Sequence, residues 1–125
     1  MPSDLLHRLT TATAGSRELD SEVGMTLGWR PYWANWYSPE TAKEARRKKR
    51  GLTAYDPTPL PFFTTDLNAT FAEAQRLGLA IAISTYEAIR AQCGDKQHGE
   101  FRYYEAATPA LAACAALIAE IGDQP

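Results

Sequence analysis

Apolar residues recur three or four positions apart near the start of the chain, which is the spacing of an amphipathic helix. The first set is Leu5, Leu6, Leu9 and Ala12. Ser3 is a favourable N-cap ahead of this set, and Gly15 is a favourable residue to end the helix. The pattern therefore predicts a first helix between Ser3 and Gly15.

A second helix is predicted directly after this glycine. Ser16 can cap its start and Gly28 can end it. Its inner stripe is Leu19, Val23 and Leu27, and its outer face is Glu18, Asp20, Ser21 and Glu22. A DNA-reading helix-turn-helix would place this acidic face among phosphates, so we interpret the two helices as a plain helical hairpin.

The most apolar stretch of the chain lies at residues 108–122. Thr108 can cap a helix there, Pro109 fits the first helical position, and Gly122 can provide a left-handed end. Six alanines lie between these residues, and Glu120 is the only charged side chain. A helix that is apolar on nearly every side is buried, so we predict that this helix is the centre of the fold.

A proline-rich segment lies in the middle of the chain. Prolines at alternate positions exclude helix and central strand from Asp56–Pro61, because proline lacks an N–H donor. We predict an extended strap laid over the domain and anchored by Phe62 and Phe63. The preceding residues, Leu52–Tyr55, are predicted to form a short strand.

A further helix is predicted to follow the strap. Either Thr64 or Thr65 can cap it, and it runs to Gly78. The side chains predicted to face the core are Leu67, Phe71 and Ala74.

Large and small residues alternate over Leu79–Ile83, which predicts a strand whose alanine face presses against a helix. The next stretch permits two interpretations. Ser84–Glu87 has the form of a capping box, so Thr85–Cys93 fits a short helix closed by Gly94. Alternatively, Tyr86–Gln92 is a second strand, which is the interpretation we favour.

Gly94–Gly99 has the composition of a loop, and Glu100–Tyr104 then forms a last strand that leads into the final helix. Together the elements predict a single α+β domain that covers residues 1–125. Its small antiparallel sheet of two or three strands is sandwiched with helices, two at the N-terminus, one in the middle and the buried C-terminal one. Residues 29–61 form an aromatic and basic insert and the proline-rich strap within this domain.

The composition is that of an ordinary globular protein, with 45% hydrophobic and 22% charged residues. The net charge of −2 argues against a generally basic nucleic-acid binder. Cys93 and Cys114 fit buried thiols of an intracellular protein better than a disulfide framework. The N-terminus has no secretion signal, and Ala106–Ala119 is too short to span a bilayer, so we expect a cytoplasmic protein with no membrane partner.

The most unusual composition lies in Trp29–Tyr37, which holds all three tryptophans and two of the six tyrosines. We predict that this segment runs extended, because Pro31 favours an edge or loop position. Ser38 then begins a solvent-facing helix in which Glu44 can pair with Lys48.

Charge is segregated in the same region. Lys43–Arg50 contains six of the 13 basic residues and one acid, a local charge of +5, which leaves −7 for the rest of the chain. Aromatic rings beside cations favour a protein interface, where tryptophan is enriched, or single-strand nucleic-acid binding, where rings stack on bases. The candidate interface comprises Trp33, Trp36, Tyr37, Arg46, Arg47, Lys48, Lys49 and Arg50.

These residues lead to two hypotheses about the partner and a third about chemistry. The first is an unidentified protein partner, with a homodimer as one form of it. The alternative is a nucleic acid, bound through Trp29–Arg50 with a steep dependence on salt. The third hypothesis, an enzyme, needs a pocket that brings together His98, Cys93 or several acids.

The sequence contains no recognisable catalytic motif. His7 and His98 are too far apart to supply a metal-binding spacing, and we interpret His7 as a surface residue. Cys93 is either a thiol activated by neighbouring cations or, as we favour, a small buried residue, and Cys114 packs in the final helix. We therefore expect no catalytic residue, no metal and no cofactor.

Three stretches together resemble a known group of proteins. They are Leu5–Asp20, Phe63–Ala69 and Glu105–Leu117. In these stretches the chain resembles the phage ABA-sandwich domain family, small phage and prophage proteins whose role is not established. The resemblance implies an α+β sandwich, a phage or prophage origin and a bacterial host cytoplasm. It brings no catalytic residues, and Asn68 stands where that family usually has an aspartate.

Overall fold

The computed structural model describes residues 2–94 and 102–122 and confirms the α+β class. Five α-helices are present in these residues: α1 Pro2–Thr11, α2 Arg17–Leu27, α3 Pro39–Arg47, α4 Leu67–Arg76 and α5 Pro109–Gly122. The strands are β1 Arg30–Tyr32, β2 Asn35–Tyr37, β3 Ala80–Ser84, β4 Arg90–Gly94 and β5 Tyr104–Glu105. They form a two-stranded sheet, β1–β2, and a three-stranded antiparallel sheet in the order β3–β4–β5.

Helix α5 is the centre of the fold, as its composition predicts. It packs against α1, α2 and α4 on one side and against β3, β4 and β5 on the other. Every residue from 110 to 119 is buried. Thr108 caps the helix, because its Oγ1 accepts a hydrogen bond from the backbone N–H of Leu111 at 3.2 Å. Small alanine side chains let both layers approach the helix backbone closely, which explains why a stretch with so few large residues can be the core.

The predicted caps of α2 are confirmed. The Ser16 hydroxyl accepts a hydrogen bond from Leu19 N, and Gly28 takes the left-handed conformation with φ 102°. The predicted inner stripe is buried at Leu19, Val23 and Leu27. Helix α1 ends at Thr11, one turn before the predicted Gly15.

The predicted exposure of Asp20 is wrong. Its side chain is 1% exposed, whereas the other members of the predicted outer face are not fully buried. The carboxylate is turned inward because Thr64 and Arg17 supply the hydrogen bonds that a buried carboxylate requires.

The three-stranded sheet confirms a strand rather than a helix before Gly94. β3 pairs with β4 in a register that places Ile81 opposite Cys93 and Ala82 opposite Gln92. The predicted orientation of β3 is wrong, because its isoleucines pack on the core and its alanines are exposed. Burying isoleucine removes more apolar surface from water, which accounts for the choice of face.

Part of the last predicted loop and strand lies outside the described residues. The predicted loop 94–99 is described only at Gly94, which belongs to β4. Of the predicted strand 100–104, Tyr104 belongs to β5, which pairs with β4 through Ala91.

Helix α4 begins later than predicted. Asp66 is its N-cap, through a hydrogen bond from Asn68 N, in place of Thr64 or Thr65. Gly78 follows the helix in the left-handed conformation, with φ 75°. The predicted inner face is confirmed at Ala74, which is buried, and wrong at Phe71, which is exposed. Leu67 is half-buried.

The aromatic segment forms the β1–β2 hairpin instead of a single extended run. The proline strap supports it, since Thr58 and Trp36 exchange both backbone hydrogen bonds at 2.8 and 2.9 Å. Of the two predicted anchors, Phe63 is fully buried and Phe62 is exposed. The predicted short strand at Leu52–Tyr55 is wrong, because Leu52–Ala54 forms a 3-10 turn.

Candidate interaction surface

The tip of the β1–β2 hairpin carries the most exposed large apolar side chain among the described residues. Tyr32 and Asn35 are paired, so Trp33 and Ala34 form a two-residue turn. The side chain of Trp33 is 90% exposed, and its backbone has φ 55°. A positive φ at this position of a hairpin turn favours glycine, and a bulky residue there is strained.

The other two tryptophans anchor the hairpin to the core. The indole Nε1 of Trp29 donates a hydrogen bond to Glu73 Oε1 at 2.6 Å, and its ring meets that of Phe63 edge-on at 6.0 Å. Trp36 is half-buried and packs against the core. The tip residue Trp33 is therefore held on a base that is fixed at two points.

Tyr37 supports the hairpin from inside. Its side chain is 4% exposed and its ring lies 5.3 Å from that of Tyr32. Burial raises the pKa of Tyr37, and the nearby Tyr32 and Asp56 raise it further. Successive strand residues point to opposite faces, so Trp36 and Tyr37 cannot both belong to one exposed face.

Helix α3 follows the hairpin and carries most of the basic run. Ser38 caps it by accepting a hydrogen bond from Thr41 N, as the sequence predicts. At its other end the N–H groups of Lys49 and Arg50 donate to the carbonyls of Arg46 and Ala45 at 3.2 and 2.8 Å. This pattern is a Schellman motif whose left-handed position, usually glycine, is Lys49 with φ 57°. Lys49 thus has a left-handed backbone conformation that is unfavourable for any residue with a side chain.

The cations at the end of α3 are exposed. The predicted pair forms, with Lys48 Nζ 2.8 Å from Glu44 Oε1. This hydrogen bond and charge contact lower the pKa of Glu44 and raise that of Lys48. Within the described ranges the remaining cations of the run make no ion pair. They are Lys43, Arg46, Arg47, Lys49 and Arg50.

A pocket lies between the hairpin base and the basic helix. Its volume is about 260 Å³. Arg30 lines it from β1, Arg46 and Arg50 from the end of α3, and Ala42, Ala45 and Leu52 complete its wall. The sequence does not indicate a role for Arg30, because only the fold of the hairpin brings it close to the helix that follows. The pocket therefore joins a residue outside the predicted interface to two residues within it.

The groups considered for catalysis do not gather in the described part of the chain. Burial raises the pKa of both Cys93 and Cys114 to about 12, which makes them unreactive. His7 is exposed, and His98 lies outside the described residues. Across residues 2–94 and 102–122, no group of three or more His, Cys, Asp or Glu side chains could hold a metal ion.

A second pocket, of about 390 Å³, lies beside the start of α5 and is lined by small and apolar residues without a charged side chain. None of the helices described here has the length and apolar character needed to cross a membrane. No family model, no curated protein and no solved structure matches the chain. Two exposed features remain as candidates for binding, the hairpin tip and the basic end of α3.

Proposed function

We propose that the protein is a non-enzymatic interaction protein that binds a partner protein through the hairpin tip and the basic end of α3. The observation that carries the proposal is Trp33, which is almost fully exposed in a turn that strains it. The resemblance of the chain to phage ABA-sandwich proteins supports a phage or prophage origin and a role in the cytoplasm of a bacterial host.

The strain at Trp33 argues for function. Glycine would remove the conformational penalty at the tip, and a polar residue would remove the exposed ring. Folding alone selects neither a bulky nor an apolar residue at such a site, whereas a binding surface uses tryptophan as an anchor.

The charges around the anchor suit an acidic partner. Lys43–Arg50 carries +5 and the rest of the chain −7, so a second copy of the chain offers the complementary charge. A homodimer is therefore the first form of the partner to test.

The test measures self-association by analytical ultracentrifugation over a wide range of protein concentration. We expect a dimer that weakens with salt and that Trp33→Ala weakens about tenfold to hundredfold, the usual loss at an interface anchor. Tyr86→Ala is the matched control, because Tyr86 is 80% exposed on the β3–β4 loop, away from the hairpin. If the wild-type protein stays monomeric at all concentrations, the homodimer hypothesis is wrong.

A different partner is then sought by photo-crosslinking. A benzophenone amino acid is placed at residue 33 or, as the control, at residue 86, and crosslinks are formed in host cells. We expect a defined adduct at residue 33 that disappears when Arg46 and Arg50 are changed to Gln. Equal adducts at both positions, or none, would contradict the proposal.

A second candidate partner is single-stranded nucleic acid, favoured by the exposed ring of Trp33 together with the exposed cations at the end of α3. Fluorescence anisotropy of labelled single- and double-stranded oligonucleotides tests it. Five phosphate contacts would make affinity fall with roughly the 3.5 to 4.5 power of salt concentration. Neutralising Arg46–Arg50 would abolish this binding, and flat titrations at low salt would remove the candidate.

A further inference from the structure

Three arginines from separate parts of the insert line the pocket between the hairpin base and α3. Arg30 comes from β1, Arg46 from the last turn of α3, and Arg50 from the segment after it. The pocket holds about 260 Å³, more than a single small anion fills. It therefore has room for an anionic group together with the short chain that bears it.

In the described part of the chain no acid is ion-paired with these arginines, although Arg50 lies close enough to Glu44 to help lower its pKa. Arg30, Arg46 and Arg50 form no ion pair within residues 2–94 and 102–122, and no carboxylate lines the pocket. Glu44, the one acid inside the basic run, is held by Lys48 at 2.8 Å. Three arginines at one pocket, with no carboxylate in its lining, favour the binding of an anion.

The backbone that carries two of the arginines is ordered before any ligand binds, while their side chains are exposed. Arg30 pairs in register with Tyr37, whose buried ring fixes that end of the hairpin. Arg50 is fixed by its N–H bond to the Ala45 carbonyl at 2.8 Å. A site that is ordered in advance loses less conformational entropy when it binds.

We propose that this pocket binds the dianionic phosphate of a phosphorylated serine or threonine on the partner protein. The inference rests on the proposed function and names the chemistry of the partner. Three positive groups match a phosphate monoester, which carries nearly two negative charges at neutral pH, better than a carboxylate or a phosphodiester, which carries one. Arginine forks also fit its oxygen atoms in pairs.

The wall of the pocket favours a phosphorylated side chain over a nucleotide. Apart from the arginines, the pocket is lined by Ala42, Ala45 and Leu52. These apolar side chains can pack against the Cβ of phosphoserine. They provide neither a ring to stack on a base nor a polar group to bind the edge of a base.

The test is a titration followed by NMR of the arginine side-chain Nε–H signals in the full chain. The probes are inorganic phosphate and a glycine pentapeptide with a central phosphoserine. We expect saturable shifts of the signals of Arg30, Arg46 and Arg50, and weaker binding as the pH falls below about 6, where the phosphate takes up a proton. No shift with either probe would overturn the proposal.

Matched variants locate the site. Arg30→Gln and Arg46→Gln are each expected to weaken phosphopeptide binding about tenfold, the usual effect of losing one charge-assisted contact. Lys43→Gln removes the same charge from an exposed position of α3 outside the pocket, so it should leave affinity within about twofold. Equal losses in all three variants would mean attraction by net charge and would contradict a defined pocket.

Further probes separate the sources of phosphate. Dimethyl phosphate, a monoanionic diester, should bind about tenfold more weakly than the phosphopeptide, and adenosine monophosphate should bind no better than inorganic phosphate. A nucleotide that binds more tightly than the phosphopeptide would overturn the assignment to a protein partner. A Trp33-dependent partner that persists without any phosphate binding would end this inference and leave the proposed function intact.

Discussion

Asp20 and Thr64 are joined by two short hydrogen bonds in the core. Asp20 Oδ1 accepts hydrogen bonds from the backbone N of Thr64 at 2.7 Å and from its Oγ1 at 2.6 Å. The other carboxylate oxygen accepts from Arg17 at 2.9 Å. Arg17 also donates to the carbonyl of Leu60 at 2.9 Å, so this cluster ties α2 to the strap ahead of α4.

Replacing this carboxylate should destabilise the fold. In Asp20→Asn the side-chain amide NH2 would face the Arg17 guanidinium in a buried site. Both groups are hydrogen-bond donors, so neither could accept from the other. We expect the free energy of unfolding to fall by about 1.5–3 kcal/mol, as for a lost hydrogen bond to a charged group. Glu18→Gln on the exposed face of α2 is the control and should stay within about 0.5 kcal/mol. Urea unfolding measures both, and equal midpoints would show that Asp20 carries no structural role.

Gly15 should not tolerate a side chain. A Cβ at this position would clash with Thr64. It would lie 2.7 Å from the backbone carbonyl carbon and 2.6 Å from the side-chain Oγ1. We expect Gly15→Ala to lower the free energy of unfolding by about 1–3 kcal/mol, because two backbone segments would have to separate. At Gly51 the nearest atom would be Thr53 Oγ1 at 3.6 Å, so Gly51→Ala should be neutral or slightly stabilising. Thermal unfolding of both variants makes the comparison, and similar losses would refute it.

Trp33→Gly should make the protein more stable while it weakens partner binding. A left-handed conformation costs an ordinary residue about 1–2 kcal/mol, and glycine loses about 0.5–1 kcal/mol through its freer unfolded state. The net gain is therefore about 0–1.5 kcal/mol. Tyr86→Gly, at an exposed aromatic without positive φ, should instead reduce stability. Calorimetry of the two variants decides the matter, and a loss at both sites would mean that Trp33 is not strained.

Both cysteines should resist alkylation in the folded protein. Their pKa values are raised by burial to about 12, and Glu120 adds to the effect at Cys93. At pH 8 the folded thiols should react about a thousandfold more slowly than in urea, where an ordinary thiol pKa returns. Because the folded pKa is the higher one, the thiols stabilise the fold below about pH 8.5, and this contribution is lost as the pH rises toward 12. Rapid labelling of either native thiol at pH 8 would contradict the burial.

The elements with local causes are those that the sequence predicts well. Helix α2 carries its own caps, and the alanine-rich composition of α5 suffices to predict its burial. The inward turn of Asp20 has no local signal, because its partner Thr64 is 44 residues away. The hairpin is equally hidden, since its turn lacks the usual Asn-Gly pair and the distant Thr58 holds its second strand.

The candidate surface is predictable only in part for the same reason. Composition is sufficient to single out the aromatic segment and the basic run, but not to distinguish Trp33 from Trp36 and Tyr37. Strand alternation separates Trp36 from Tyr37, and it becomes visible only once the register is known. Arg30 enters the site through the hairpin, so the pocket cannot be predicted without the hairpin.

The central position of α5 also determines the order in which the chain can fold. α1 packs directly on α5, although about a hundred residues separate the two helices along the chain. Until α5 has been synthesised, α1 lacks the helix on which it packs, whereas α2 can already contact the strap. The N-terminal helices therefore stay incompletely packed until then, and their apolar surface is exposed to chaperones and to aggregation. The core closes late, through contacts between residues far apart in the chain.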